Sequence, residues 1–234
     1  MRVLLINPNS SPETTARMVA IAEGAALGCV VIGMTAASGP RMIVDEAGLA
    51  TGAASVAEMA RSVRSAFDGA IVSAFGDPGL ETASAILSFP VCGIGAASFA
   101  EAADGGRRFA VATTTPGLVA AIAGRVAAAG LSARFLGTWV TPGDPVATMA
   151  DPARLDSLLA SEIGRARADG AEAVIIGGGP LAEAARRLAD TVEVPLIEPI
   201  PAAIRLIMRQ VAAIRVRSTR SGRGTGPAGG ARRS

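Results

Sequence analysis

Residues 71–80 include the side chains best placed to do chemistry. The apolar run Ala70–Val72 predicts a strand buried on both faces. Asp77 and Pro78 then fit the N-cap and the first residue of a helix, where the missing N–H of proline does no harm. Open α/β sheets bind ligands where such a strand ends and such a helix begins. We therefore expect this stretch to form one wall of an active site.

Two side chains of this wall could act on a substrate. Ser73 offers a hydroxyl and Asp77 offers a carboxyl, which could take up or release a proton. Each also has a purely structural interpretation, because Asp77 fits a helix cap and Ser73 fits a small residue packed into the wall. The sequence alone does not decide between the catalytic and the structural interpretation.

The residue types that are missing restrict the chemistry further. The chain contains no histidine, and its 22 basic residues are all arginine. This excludes Ser–His–Asp and Cys–His nucleophile systems, most zinc sites, and Schiff-base or pyridoxal phosphate chemistry. Cys29 and Cys92 lie in apolar, strand-like surroundings without the spacing of a disulfide framework or a metal site. We therefore expect no metal, and chemistry that depends on carboxylates, hydroxyls, thiols or arginine.

Charge and hydropathy suggest where the protein acts. Residues 215–234 contain six arginines and no acid, which leaves 16 basic and 20 acidic residues elsewhere. This Arg-, Gly- and Ser-rich segment is typical of a disordered tail. It could also be a nucleic-acid arm, but no aromatic residue or second basic patch supports that partner. With no apolar run near the ~18 residues of a membrane span and no signal peptide, we expect a cytoplasmic protein with no membrane partner.

Strands and helices alternate along the chain, which predicts mostly parallel sheets. The helix before residue 27 and the helix after Asp151 each begin at a capping residue followed by proline. Loops are expected over 35–49 and 139–150, with a helix from about 52 to 67 between the first loop and the wall. Strands are predicted at 2–6, 29–34, 70–72, 90–94, 107–112, 132–136, 173–176 and 194–197.

The second half of the chain repeats the strand and helix pattern of the first half. Residues 68–74 align with residues 172–178, and a helix that begins at proline follows each. We expect an α/β fold of two pseudo-symmetric lobes, each a mostly parallel four-stranded sheet flanked by helices, with the active-site cleft between them. Ala74 and Gly178 would then face each other across the cleft. The predicted boundaries are 1–98 plus about 201–214 for the N-terminal lobe, 99–200 for the C-terminal lobe and 215–234 for the tail.

With these motifs in this order, the sequence resembles the aspartate/glutamate/hydantoin racemase family, most closely its hydantoin-racemase-like branch. The resemblance covers about residues 1–210. It depends on four motifs that each follow a predicted strand, namely Asn7–Ser11, Phe75–Leu80, Thr113–Thr114 and Gly177–Gly179.

The resemblance implies a cofactor-independent enzyme that moves a proton on a carbon next to a carboxylate or carbonyl, using two cysteines on opposite faces of the substrate. In this chain Ala74 and Gly178 occupy those two positions, and Ala96 stands where the family commonly has glutamate. Proton transfer needs an acid and a base within hydrogen-bond reach of the same carbon. A methyl group or a hydrogen atom can do neither, so two-thiol racemisation should not run here.

The binding groups of the family are retained, and they can hold a small carboxylate or an enolate oxygen. We expect an isomerase-family enzyme with altered chemistry, acting on a small carboxylate, amino-acid derivative or hydantoin-like substrate, and forming a homo-oligomer. A decarboxylase or lyase on the same scaffold and a non-catalytic small-carboxylate-binding protein are the alternatives. The candidate catalytic residues are Asp77, Ser73 and Thr114, and the candidate substrate-binding residues are Asn9, Ser10, Ala74, Phe75, Thr113, Thr114, Gly177, Gly178 and Gly179.

Overall fold

The structure is a computed structural model that describes residues 1–26, 28–178 and 181–221. Gly179, one of the candidate binding residues, lies outside the described residues. The first half contains β1 (Arg2–Asn7), α1 (Pro12–Ala25), β2 (Val30–Thr35), α2 (Glu46–Ser62), β3 (Gly69–Val72), α3 (Leu80–Ile86), β4 (Val91–Gly93) and α4 (Ile94–Ala102). The second half contains β5 (Phe109–Thr113), α5 (Val119–Ala128), β6 (Phe135–Val140), α6 (Pro145–Ala150), α7 (Pro152–Ala168), β7 (Ala173–Gly177), α8 (Ala182–Leu188), β8 (Leu196–Ile197) and α9 (Pro199–Ser221).

Two four-stranded parallel sheets form the framework. Their strand orders are β2-β1-β3-β4 and β6-β5-β7-β8, so both halves wind in the same way. The central strands β3, β5 and β7 are buried along their whole length, as expected of strands covered by helices on both faces. This arrangement confirms the predicted α/β fold with two sheets flanked by helices.

One apolar core joins the two sheets. Phe99 of α4 packs between Phe75 and Phe109, with ring centroids 5.6 and 6.3 Å apart, so its ring links the first half to the second. Helix α9 packs on α1, β3 and β4 as well as on α4 and β7. Buried aromatic rings provide large apolar contact areas. The shared core therefore fixes the two sheets relative to each other.

The predicted helix starts at Ser11 and Asp151 are confirmed. The Ser11 side chain accepts a hydrogen bond from the Thr14 N–H, and the Asp151 side chain accepts one from the Arg154 N–H. Such caps typically contribute about 1 kcal/mol each, because they satisfy an N–H that the helix itself leaves unpaired.

The helix predicted from about residue 52 was placed too late. Helix α2 begins at Glu46, capped by Asp45, whose Oδ1 accepts from the Gly48 N–H at 2.8 Å. Gly52 lies inside this helix and allows close packing. A Cβ at Gly52 would lie 3.0 Å from Ile43 Cδ1 and 3.2 Å from Pro8 Cβ. The loop before α2 is correspondingly shorter than predicted.

The strand predicted at 132–136 and the loop predicted at 139–150 were also misplaced. Strand β6 runs from Phe135 to Val140 and therefore includes Trp139, and α6 follows a cap at Asp144. In the described sheet β6 is an edge strand next to β5, and all of its residues are half-buried. An edge strand lacks the continuous apolar run that marked the central strands, which explains the error.

The final helix is longer than predicted. Helix α9 runs to Ser221, so residues 215–221 are helical rather than part of a disordered tail, while residues 222–234 lie outside the described residues. Within the described part of the chain, no helix is both long and apolar enough to cross a membrane. The predicted lobe boundaries and homo-oligomeric state stay predictions.

Candidate active site

A cavity of about 130 Å³ lies where the strand ends of both sheets meet. Both halves of the chain contribute to it, as expected for a site built between two copies of one unit. Its described lining residues are Asn9, Thr14, Met18, Arg41, Met42, Ile43, Ser73, Ala74, Phe75, Thr114, Thr115, Leu118, Met149, Gly177, Gly178 and Leu181.

Ala74 and Gly178 both line this cavity, and they follow the equivalent strands β3 and β7. Their surroundings differ. Ala74 already has a Cβ. Gly178 has φ +147°, a backbone conformation that residues other than glycine rarely adopt. A Cβ at Gly178 would also lie 3.1 Å from Leu181 Cδ1. The backbone angle and the close side chain of Leu181 therefore favour glycine at position 178.

Thr113 and Thr114 are both buried, but only Thr114 lines the cavity. The Thr113 Oγ1 donates to the Gly177 carbonyl at 2.8 Å and lies 2.9 Å from Thr115 Oγ1, so it ties the ends of β5 and β7 together. Thr113 does not belong to the lining set. Thr114 lines the cavity, and its hydroxyl bonds to no other described residue. Of the two predicted threonines, Thr114 is the one able to contact a ligand.

The Ser73 hydroxyl is already engaged. Ser73 lines the cavity, but its N–H and its Oγ both donate to the Ile6 carbonyl, each at 2.9 Å. Among the described residues the hydroxyl bonds to a carbonyl and to no base that could take its proton, as an activated nucleophile requires. Its oxygen can still accept a hydrogen bond from a ligand.

The Asn9 amide is held with its donor group available. Its Oδ1 accepts from Asn7 Nδ2 at 2.8 Å and from the Ser11 N–H at 3.0 Å. Asn7 is buried and also bonds Thr15 Oγ1 at 2.9 Å, so this network is anchored to α1. Asn9 Nδ2 bonds to no described residue and can donate to a ligand oxygen.

Ser10 does not line the cavity, although the sequence suggested that it binds substrate. Its N–H donates to the Pro40 carbonyl at 3.0 Å and its Oγ donates to the Gly39 carbonyl at 2.8 Å. These bonds fix the loop that precedes Arg41, which does line the cavity. Ser10 is therefore a residue that positions the loop.

Phe75 and Gly177 line the cavity through close packing between the sheets. A Cβ at Gly177 would lie 3.2 Å from Phe75 Cε1 and 2.8 Å from Val111 Cγ1, so glycine allows the Phe75 ring to approach β7. Packing between the two sheets thus explains this glycine directly, and it does not depend on anion binding.

Asp77 is directed away from the cavity. Helix α3 starts after Gly79, so the predicted capping of that helix by Asp77 was wrong. The Asp77 carboxylate instead accepts from the N–H groups of Gly95 and Ala96, at 2.8 and 2.7 Å, in the first turn of α4. Asp77 itself has φ +50°, in the left-handed region that residues other than glycine rarely adopt. It therefore caps a different helix and is absent from the lining set.

The surroundings of the Asp77 carboxyl are tightly fitted. A Cβ at Gly93 would overlap the carboxyl group, and one at Gly95 would lie 2.9 Å from Oδ2. Arg125 Nη2 lies 3.9 Å from Oδ2. Burial raises the pKa of Asp77 to about 6, against the lowering effect of the two N–H groups and Arg125.

Neither cysteine belongs to the lining set. Both are buried, and burial raises the pKa of each thiol above its usual value. The Cys92 thiol donates to the Ala203 carbonyl at 3.6 Å. A buried thiol with a raised pKa is a poor nucleophile, so both cysteines act as core residues.

Sequence reasoning missed Arg41. It lies on the loop between β2 and α2, and it is the one charged side chain in the described lining. Its Nη2 donates to Glu13 Oε2 at 3.0 Å. Arg41 falls within the predicted loop 35–49, but nothing in the sequence pattern distinguished it from other arginines.

The site can bind and polarise an oxygen, but its described lining offers no carboxylate, thiol or amine to move a proton. Thr114 and Asn9 provide donors, and the rest of the surface is largely apolar. Among the described residues, no group of three or more Cys, Asp or Glu side chains is arranged to hold a metal ion. The polar side chains of the described lining are therefore neutral hydrogen-bonding groups and the single guanidinium of Arg41.

Comparison with known proteins agrees with this geometry. The family profile described as Asp/Glu/Hydantoin racemase matches residues 3–207. Hydantoin racemase from Rhizobium meliloti is 32% identical over 214 residues, covering 88% of this chain and 87% of that protein. Hydantoin racemase from Paenarthrobacter aurescens is 30% identical over 218 residues, with coverage of 91% and 92%.

A solved structure shows the same likeness in three dimensions. Allantoin racemase from Klebsiella pneumoniae superposes with a TM-score of 0.84 at 28% identity, covering 91% of this chain and 88% of that one. The repeated unit, the cavity between the sheets and these matches agree, and the chain belongs to the Asp/Glu/hydantoin racemase family.

Proposed function

We propose that this chain is a cofactor-independent enzyme that binds a small hydantoin-like ring or carboxylate and stabilises its enolate without a protein thiol. The observation that carries the proposal is a contrast within one cavity. Ala74 and Gly178 line the cavity at the two positions where the resemblance to the family implies thiols, and Asn9 and Thr114 line the same cavity with hydrogen-bonding groups.

The chemistry follows from what an enolate needs. When the C–H bond next to a carbonyl breaks, the electron pair moves onto the carbonyl oxygen and the proton leaves to a base. Donors placed at that oxygen lower the barrier, and here they would be the Thr114 hydroxyl and Asn9 Nδ2. Water would accept the proton and return one to the carbon. Because water is a weak base, we expect a slow reaction.

The described lining offers no carboxylate or thiol as a base, which also favours a second candidate, decarboxylation. In the described lining Arg41 is the one charged group. Loss of CO₂ breaks a C–C bond and leaves its electron pair as an enolate, so it needs no base and only a proton from solvent. A 2-substituted malonate is the simplest substrate of this kind.

Exchange in D₂O tests these proposals. The full-length protein is incubated with 5-substituted hydantoins and with 2-substituted malonates, and NMR follows the loss of the α-hydrogen signal and the release of CO₂. We expect exchange or CO₂ release above the rate in buffer alone. Binding without either reaction would identify a non-catalytic binding protein, and no binding to either class would overturn the proposed function.

Thr114 and Thr113 should separate binding from stability. Thr114→Val should weaken hydantoin binding about tenfold with little change in stability, because one hydrogen bond to the ligand is lost. Thr113→Val should lower the free energy of unfolding by about 1–3 kcal/mol, since the buried Gly177 carbonyl loses its side-chain donor. Calorimetric titration and urea unfolding measure the two effects. If both variants lost only stability, Thr114 would not bind ligand.

A further inference from the structure

Arg41 is held beside the cavity by the backbone of its loop. The two bonds from Ser10 to Gly39 and Pro40 fix the residues just before it. A little further along, the loop lies against the second half of the chain, because a Cβ at Gly117 would be 2.6 Å from the Val44 carbonyl oxygen. The main chain on both sides of Arg41 is therefore supported, although its side chain is exposed.

The guanidinium group of Arg41 has more N–H donors than its bond to Glu13 uses. Arg41 Nη2 donates to Glu13 Oε2, and the side chains of both residues are more than 70% exposed. Exposed pairs of this kind contribute little, so exchanging the partner costs little free energy. An arginine presents five N–H donors in a planar fork that matches a carboxylate.

Among the described lining residues, Arg41 is the one that carries a charge. Apolar side chains surround the interior of the cavity, among them Met18, Ile43, Leu118 and Leu181. A buried carboxylate without a partner would lose several kcal/mol of hydration, so an anionic group is favourable only where Arg41 can reach it. A fitting ligand thus combines a neutral part inside with one anionic group next to Arg41.

We propose that Arg41 is a specificity-determining residue that selects hydantoin-like substrates bearing a carboxylate on the ring substituent. This inference rests on the proposed function, since it assumes that the cavity holds the ring. Thr114 and Asn9 contact the ring oxygens, and Arg41 binds the side-chain carboxylate in place of Glu13.

Glu13 sets how strongly Arg41 discriminates. Hydrogen bonds from its own backbone N–H and from the Ser11 hydroxyl lower the pKa of Glu13, which keeps it charged at neutral pH. Glu13 therefore competes with the substrate carboxylate for the same guanidinium. Removing that competitor should strengthen binding of the anionic ligand and leave a neutral ligand unaffected.

A matched pair of ligands tests the inference. Calorimetric titration of the full chain compares hydantoin-5-acetic acid with its neutral amide. We expect the wild type to bind the acid at least tenfold more tightly. Arg41→Met should remove this preference without changing the affinity for the amide, while Arg41→Lys keeps part of it. Glu13→Gln should tighten binding of the acid two- to threefold, and added salt should reduce the preference because the site is exposed.

The outcomes are distinct. Equal affinity of the wild type for acid and amide, or an unchanged preference in Arg41→Met, would overturn the role of Arg41 and leave the proposed function standing. If neither ligand bound, the proposed function would fail, and the inference would fail with it. Weaker acid binding in Glu13→Gln would also contradict the inference, because competition predicts the opposite sign.

Discussion

Replacing Ala74 and Gly178 together by cysteine should turn this protein into a measurable racemase for 5-substituted hydantoins. The double variant would regain a thiol at each of the two cavity positions, so that one could remove the α-proton and the other could deliver a proton to the opposite face. Positioned acid–base groups typically contribute about 10²–10⁴-fold each. We therefore expect a rate at least a hundredfold above the wild type, measured by chiral chromatography of an L-hydantoin.

The two positions should accept cysteine unequally. Ala74→Cys extends a Cβ that already exists, whereas Gly178→Cys must adopt φ near +147° and displace Leu181, whose Cδ1 would lie 3.1 Å from the new Cβ. A strained backbone of this kind costs about 1–3 kcal/mol. Gly178→Ala is the matched control, because it carries the same backbone penalty without a thiol, and Ala74→Ser controls for a polar group of similar size.

The single variants add a mechanistic check. Ala74→Cys alone places a thiol on one face, so it should return the proton to the face from which it was taken. We expect faster α-hydrogen exchange of one enantiomer in D₂O, with its configuration retained. A folded double variant that binds hydantoin but shows neither exchange nor inversion would contradict the assignment of positions 74 and 178.

Asp77→Asn should destabilise the protein at pH 7 by about 1–3 kcal/mol. The amide keeps the shape of the carboxyl but can accept only through one atom, so the N–H of Gly95 or Ala96 would face an NH₂ group. Glu81→Gln is the control. It also removes a carboxylate near Arg125, but Glu81 is exposed and should contribute less than about 1 kcal/mol. Urea unfolding of both variants measures the difference.

The pH dependence of this effect has a definite sign. The pKa of Asp77 rises from 3.8 to about 6 on folding, so the folded protein holds this proton more tightly than the unfolded chain. The resulting contribution to stability is complete below about pH 4 and is lost as pH rises through 6, by up to about 3 kcal/mol. The stability gap between wild type and Asp77→Asn should therefore be largest near pH 4 and shrink toward pH 7. A gap that stayed constant with pH would contradict this account.

The sequence was sufficient for the framework because its signals are local. Buried parallel strands such as Gly69–Val72 and Ala173–Gly177 appear as continuous apolar runs, and caps such as Ser11 bond to an N–H only three residues away. The repeat of one unit then predicted the two sheets. It also predicted that residues 74 and 178 would line one cavity, since equivalent strand ends of a duplicated unit face the same cleft.

The roles of the polar side chains were decided only by the tertiary structure. Asp77 and Pro78 match a local helix start, yet the Asp77 carboxylate caps α4, 18 residues further along. Gly93 and Gly95 leave the room that this contact requires. Thr113 and Thr114 are neighbours of the same type, but the register of β5 against β7 directs Thr113 to the Gly177 carbonyl and leaves Thr114 to the cavity.

The role of Arg41 also could not be predicted from the sequence. In the sequence it is one of 22 arginines, and no local pattern separates it from the rest. It becomes part of the site because Ser10 holds its loop and because the second sheet closes the cavity opposite it. The sequence determined which strand ends meet, since burial and repetition are encoded locally. Which side chains reach the ligand depends on contacts between residues far apart in the chain, and only the folded structure provides them.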